Sequence, residues 1–251
     1  MKTRILVADD HPIVRDGVRL VLSSQPDLQV VGEAANGHEV LQQVRRLQPD
    51  IVIMDISMPQ LNGIEATRQL KEIQPQLKTI ILSMYSTPHH ILRALQAGAK
   101  AYLLKERASA EIVQALQAVR VDQRYLSPPI RAYIEEIERR RTRWDRIDDP
   151  LSRLSSRERE VLQLVVEGKS SVEAAEILSI SAKTVETYRS RLMHKLPVTS
   201  LAGLVKFAVL NGVTGLDQTR LYFGLPGSDE PLTTSRKTTR SGPSTSSGRV
   251  G

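Results

Sequence analysis

Pro49-Asp50-Ile51-Val52-Ile53-Met54-Asp55-Ile56-Ser57-Met58-Pro59 is the stretch on which the fold turns. Four apolar residues, Ile51 to Met54, deliver a carboxylate, Asp55, to the end of a short run. Pro59 then rules out further regular strand. A short apolar run bounded by turn signals reads as a strand buried on both faces, as in a parallel sheet. In open parallel sheets the functional crevice lies outside the carboxyl ends of the strands. Asp55 is therefore placed to do chemistry; the blander alternative is an aspartate that caps the next turn.

Working outward, four more runs share this character: Arg4–Ala8, Gln29–Ala34, Thr79–Ser83 and Ala101–Leu104. Between them the apolar residues fall at helical spacing, for example Val40, Leu41, Val44 and Leu47, or Ile112, Ala115, Leu116 and Val119. Five strands alternating with five helices predict a doubly wound α/β domain over residues 1–126, with a five-stranded parallel sheet and right-handed crossovers. The flavodoxin-like order 2-1-3-4-5 makes strands 1 and 3 neighbours. Asp9 and Asp10, ending strand 1, then share a crevice with Asp55. Three carboxylates so close are unfavourable unless a cation sits among them, and oxygen donors suit a hard ion such as Mg²⁺. Strand 4 ends in the hydroxyl of Ser83 and strand 5 is followed by the ammonium of Lys105. Carboxylate, divalent ion, lysine and hydroxyl together make a phosphoryl-transfer site.

Composition bounds the rest. The 251 residues are 40% hydrophobic with no cysteine, which removes disulfides, thiol chemistry and Cys-ligated zinc. Met1-Lys2-Thr3 runs straight into the first strand, and no apolar run approaches the ~18 residues of a membrane span, so the expectation is a cytoplasmic protein without membrane contact. Thirty-five Lys+Arg against 28 Asp+Glu give a net charge of +7. That balance is compatible with a polyanion partner and does not demand one.

Residues 127–150 read as a charged helical linker. Ser127-Pro128-Pro129 stops the preceding helix, and Ile130–Arg143 predicts a helix whose Glu135, Glu136 and Glu138 precede Arg139, Arg140, Arg141 and Arg143. Residues 151–213 change character again. Ser155 with Glu158 three residues on is a capping box for a helix to Glu167, closed by Gly168. Ser171–Leu178 and Ala182–Leu196 are two helices joined by a tight turn, the helix-turn-helix unit. In the latter, Val185, Tyr188, Leu192 and Leu196 share one face, while Lys183, Glu186, Thr187, Ser190, Arg191 and His194 lie on or near the other. Short polar and basic groups on one helix face suit the DNA major groove. From residue 214 onward the chain is rich in Gly, Ser, Thr, Pro and Arg and reads as a disordered tail.

Asp9-Asp10, Asp55-Ile-Ser-Met-Pro, Gly63, Ser83, Tyr102 and Lys105 resemble the receiver domain of two-component response regulators. Leu-Ser-Ser-Arg-Glu-Arg-Glu-Val-Leu (154–162), Glu-Gly-Lys-Ser (167–170), Ser-Ala-Lys-Thr-Val-Glu-Thr-Tyr-Arg-Ser-Arg-Leu (181–192) and Lys195-Leu196 resemble the LuxR-type helix-turn-helix. Together they look like a response regulator of the NarL/FixJ subfamily, a receiver followed by a small four-helix DNA-binding domain. The resemblance implies a regulator rather than an enzyme, with Asp55 accepting phosphate from a histidine kinase. It implies Mg²⁺ held by Asp10, Asp55 and the Ser57 backbone carbonyl, with Asp9 acting through water and Lys105 meeting the phosphoryl group. Ser83 would then swing toward the aspartyl phosphate and Tyr102 would turn inward. It implies a double-stranded operator, with Lys183, Thr184, Arg189, Arg191 and Lys195 on the phosphate backbone and Glu186, Thr187 and Ser190 facing bases. It also implies a homodimer on phosphorylation, through the helix Leu201–Leu210. The sequence departs from the family pattern at Glu106, Tyr188, Pro197 and Ser171-Val172-Glu173. Two other readings of the same residues are a Mg²⁺-dependent aspartyl-phosphate phosphatase and a DNA-binding protein whose unphosphorylated receiver only docks partners. Against the first, Ser57 stands where a haloacid-dehalogenase-type enzyme has its second aspartate.

Overall fold

A computed structural model describes residues 2–139 and 149–215. The strands are β1 (Thr3–Ala8), β2 (Leu28–Ala34), β3 (Ile51–Asp55), β4 (Lys78–Ser83), β5 (Ala101–Leu104) and β6 (Tyr125–Leu126). They form one parallel sheet in the order β2-β1-β3-β4-β5-β6. The predicted order of the first five strands holds, but the sheet has six strands rather than five. β6 pairs Tyr125 with Ala101 and Tyr102 with Leu126. Two residues are too few to show an alternating pattern, so tertiary pairing alone creates this strand.

Strand parity divides the receiver core. Leu6, Ala8, Val52, Met54, Ile81 and Tyr102 face one side, packed by α2 (Gly37–Leu47), α3 (Gly63–Ile73) and α4 (Pro88–Ala97). Ile5, Val7, Ile51, Ile53, Ile80 and Leu82 face the other, packed by α1 (Pro12–Ser23) and α5 (Ala108–Arg120). All five residues of β3 are buried, which is why its run lacks polar alternation.

The helix expected in the linker, α6 (Pro128–Arg139), begins two residues earlier than expected. Pro128 and Pro129 do not precede this helix; they open it, since proline's fixed φ and missing N–H suit the first turn. Ile130 and Ile134 are buried in the receiver core. Arg140, Arg141 and Arg143 of the expected linker, and the tail from residue 216, lie outside the described residues.

The second domain comprises α7 (Ser156–Val166), α8 (Ser171–Leu178), α9 (Ala182–Lys195) and α10 (Leu201–Leu210), around a core of its own. Ser155–Glu158 and Ser170–Glu173 form full capping boxes at the starts of α7 and α8. α7 is not an ordinary amphipathic helix. Beside Val161, Leu162, Leu164, Val165 and Val166, its Glu158, Glu160 and Gln163 are buried too. Its polar side packs on the receiver: Arg159 Nε meets Glu65 Oε2 at 2.7 Å, and Gln69 donates to Glu160 at 2.7 Å. Nearby, Arg93 of α4 pairs with Asp149 and donates to the carbonyl of Asn211. Among the described residues no helix is long and apolar enough to cross a membrane.

Candidate functional sites

β1 and β3 are neighbours, so their carboxyl ends bring Asp9 and Asp55 together, and β5 delivers Lys105 to the same point. Lys105 Nζ lies 2.7 Å from Asp9 Oδ2 and 2.9 Å from Asp55 Oδ2. Asp9 and Asp55 are both buried. The other Asp55 oxygen accepts from the Ile56 amide at 2.8 Å. Burial pushes the Asp55 carboxyl up to about 6; the Lys105 ammonium works against this, while Asp9 and, more weakly, Asp10 add to it. Burial also works against the charge of Lys105, but the Asp55 and Asp9 carboxylates outweigh it and hold its ammonium above the usual range.

Oxygens of Asp9, Asp10 and Asp55 and a ring nitrogen of His11 all lie within 4.8 Å of one another. Three carboxylates facing one ammonium leave an excess of negative charge in a crevice of low dielectric. A hard divalent cation fits that donor set and balance. His11, absent from the sequence reading, donates its amide to Asp9 at 2.9 Å and has Nδ1 2.8 Å from Asp10. Its position directly after the acidic pair was the only signal for it.

The two predicted switch residues are both buried. Ser83 Oγ accepts from the Tyr85 amide at 3.0 Å. Tyr102 Oη donates to the Tyr85 carbonyl at 2.7 Å. The inward tyrosine expected of the phosphorylated state is thus already adopted here, because its hydroxyl finds a buried acceptor. Tyr85, also missed from sequence, accepts from the Ser57 hydroxyl at 3.2 Å and stacks on the His90 ring, with centroids 4.4 Å apart. Gly63 lets α3 approach closely: its amide donates to Ile56 at 2.9 Å, and a Cβ there would stand 1.9 Å from the Asp55 carbonyl oxygen.

In the second domain, Ser181 caps α9, and Val185, Leu192 and Leu196 anchor that helix in the core. Lys183, Glu186, Thr187, Ser190, Arg191 and Lys195 are exposed; Thr184 and Arg189 are half-buried. Some of these side chains have internal partners. Lys195 Nζ holds Glu158 at 2.7 Å, and Arg189 lies 3.6 Å from Glu186 and donates to Ser171 at 3.2 Å. The Arg191 guanidinium sits 6.0 Å from the centre of the half-buried Tyr188 ring. The mixed polar and basic face predicted for this helix is therefore open, while the apolar face is spent on packing.

Comparison with known proteins agrees with this geometry. The family described as "Response regulator receiver domain" matches residues 5–117, and "Bacterial regulatory proteins, luxR family" matches residues 152–208. The transcriptional regulatory protein YhcZ of Bacillus subtilis is 39% identical over 212 residues, covering 84% of this chain and 98% of that protein. The response regulator GacA of Pseudomonas aeruginosa is 36% identical over 210 residues, covering 84% and 97%. Among solved structures, the RcsB response regulator of Salmonella typhimurium superposes with a TM-score of 0.58 at 28% identity, covering 84% of this chain and 98% of that one. A structure of RcsB in complex with DNA gives 0.53, also at 28% identity, covering 85% and 100%. A receiver sheet and a LuxR-type helix-turn-helix joined in one chain, and relatives matched along nearly their whole length, make this protein a DNA-binding two-component response regulator of the NarL/FixJ type.

Proposed function

We propose that Asp55 is the phosphoacceptor through which a sensor histidine kinase controls operator binding by α9. The observation that carries this is the Lys105 ammonium bridging Asp9 and Asp55, at the shared end of β1 and β3. Ionised Asp55 attacks phosphorus; the bond to the donor's imidazole nitrogen breaks and an acyl phosphate forms. Lys105 passes from carboxylate to phosphoryl oxygen and neutralises the charge that develops there. Asp9, Asp10, Asp55 and the Ser57 carbonyl would hold Mg²⁺, which supplies the remaining charge neutralisation when bound. The Ser83 hydroxyl, now occupied by the Tyr85 amide, is the group free to exchange partners toward the phosphate. The site holds one phosphoryl group as a signal and is not built for product turnover.

Downstream, Lys183, Thr184, Arg189, Arg191 and Lys195 serve the phosphate backbone, and Glu186, Thr187 and Ser190 face base edges. Lys195 exchanges Glu158 for phosphate on binding. Dimerisation through α10, where Leu201 and Leu210 are exposed, couples two half-site contacts into one strong one. The test is operator binding by Asp55→Asn protein with and without acetyl phosphate and Mg²⁺. Wild-type protein gains affinity on adding the donor and the variant does not. A variant that responds fully to the donor overturns this reading.

A further inference from the structure

α9 carries a single acidic residue, Glu186, among two lysines and two arginines, and that residue is exposed. Its carboxylate is held from outside the helix. Glu186 Oε1 accepts from the hydroxyl of Ser171, the first residue of α8. The same hydroxyl accepts from Arg189 Nη1 at 3.2 Å, and that nitrogen lies 3.6 Å from Glu186 Oε1. Ser171 is spare for this contact because α8 is capped by its neighbour. Ser170 accepts from the Glu173 amide at 3.2 Å, and Glu173 accepts from the Ser170 amide at 2.8 Å. Serine, glutamate and arginine thus form a bridge from α8 to α9. Ser171 also belongs to the Ser171-Val172-Glu173 segment in which this sequence departs from the family pattern.

A carboxylate brought up to DNA is repelled by the phosphates unless a cation offsets its charge and a donor on a base rewards it. Arg189 supplies the offset. In the major groove the donors are the N4 amino group of cytosine and the N6 amino group of adenine. Adenine N6 sits beside the acceptor N7, which repels a carboxylate, while guanine and thymine present acceptors only. Cytosine is therefore the base that fits. Both internal contacts use Oε1, which leaves Oε2 to accept from outside the chain. A free glutamate loses its rotamer freedom on binding, a cost of the same size as the net gain from one hydrogen bond. Glu186 has given up that freedom to Ser171 before DNA arrives, so the gain is kept. We propose that Ser171 is a specificity-determining residue: from α8 it positions Glu186 to accept from the N4 amino group of a cytosine. Ser171 acts through Glu186 and is a positioning residue that touches no base.

The proposal rests on α9 being the base-reading helix, and the experiment separates the two. Full-length protein, treated with acetyl phosphate and Mg²⁺, selects duplexes from a randomised pool, and the bound sequences are counted. Wild type enriches a motif with a cytosine position that Glu186→Gln converts to adenine, because an amide donates to N7 while accepting from N6. Ser171→Ala lowers the cytosine preference at that base pair by about tenfold, the usual order for one mismatched pair, and keeps the other positions of the motif. Alanine leaves the α8 cap in place, since Ser170 supplies it. Ser171→Thr, which keeps the hydroxyl, keeps the cytosine. A motif that Glu186→Gln leaves unchanged overturns the proposal. So does a Ser171→Ala protein that retains the full cytosine preference, or one that loses affinity evenly across all positions, as a purely structural serine would. If wild type enriches no sequence at all, the assignment of α9 as the base-reading helix falls instead.

Discussion

Replacing Gly63 by alanine should damage both stability and phosphorylation, and the size of the damage follows from geometry. Gly63 opens α3 with its Cα against the backbone of Asp55. A Cβ there would lie 1.9 Å from the Asp55 carbonyl oxygen, 2.9 Å from its carbonyl carbon and 3.0 Å from Met54 Cγ. Real Cβ atoms essentially never approach closer than 3.0 Å, so α3 and the end of β3 must separate by more than 1 Å. The obstacle is backbone, so no rotamer relieves it. Overpacking of this kind costs about 3 kcal/mol, at the upper end of the usual range. Alanine's better helix propensity returns about 1 kcal/mol, leaving a net loss of about 2 kcal/mol. Movement of a reacting group by about 1 Å costs on the order of a hundredfold in rate. Gly17, in α1, is the matched control, since a Cβ there meets nothing within 4 Å. Gly17→Ala should therefore be neutral or stabilise by up to about 1 kcal/mol. Urea unfolding followed by circular dichroism, with acetyl phosphate labelling of the same samples, compares the pair. If Gly63→Ala is as stable as Gly17→Ala and labels at the wild-type rate, the close-approach reasoning is wrong.

Two further outcomes follow from the charges. Burial pushes the Glu167 carboxyl up to about 7, against the hydrogen bonds it accepts from Gln163 and Gln60 and the charge of Lys169. Its contribution to stability is then fully present below its ordinary value of 4.5 and is lost as pH rises through about 7, an effect of up to about 3 kcal/mol. Urea titrations at pH 5, 6, 7 and 8 should show the stability of wild type falling relative to Glu167→Gln across that window; a constant difference would contradict it. Lys105→Gln removes the ammonium that faces both Asp9 and Asp55. Labelling should drop about a hundredfold, while the Asp55 carboxyl moves further above its present value of about 6; carboxyl resonances followed by NMR across pH 4–8 would show an unmoved or lowered midpoint if Lys105 has no such role.

Much of the receiver was legible because burial on both faces erases polar alternation. Ile51–Asp55 and Ala101–Leu104 were bounded to the residue. Placing Asp9, Asp10, Asp55 and Lys105 together needed only strand ends and the order of a doubly wound sheet, both fixed by local pattern and connection handedness. The helices of the second domain were legible from capping serines and glycine, since a cap satisfies backbone groups within three residues of itself.

What the sequence could not disclose depends on partners far away along the chain. β6 is two residues long and exists because Ala101 and Tyr102 offer an open edge. Tyr102 is already inward because the Tyr85 carbonyl stands where its hydroxyl arrives. Gln163, on α7, and Glu167, just past its end, carry no local sign of burial, yet both are buried. Periodicity reports which face of a helix is apolar, and says nothing about a polar face whose hydrogen bonds are met by another domain. The sequence by itself determined a receiver with Asp55 at its centre and a LuxR-type helix-turn-helix behind it. Only tertiary packing decided that the two domains meet on the loop following Asp55, because more than a hundred residues separate Gln163 and Glu167 from the amides they hold.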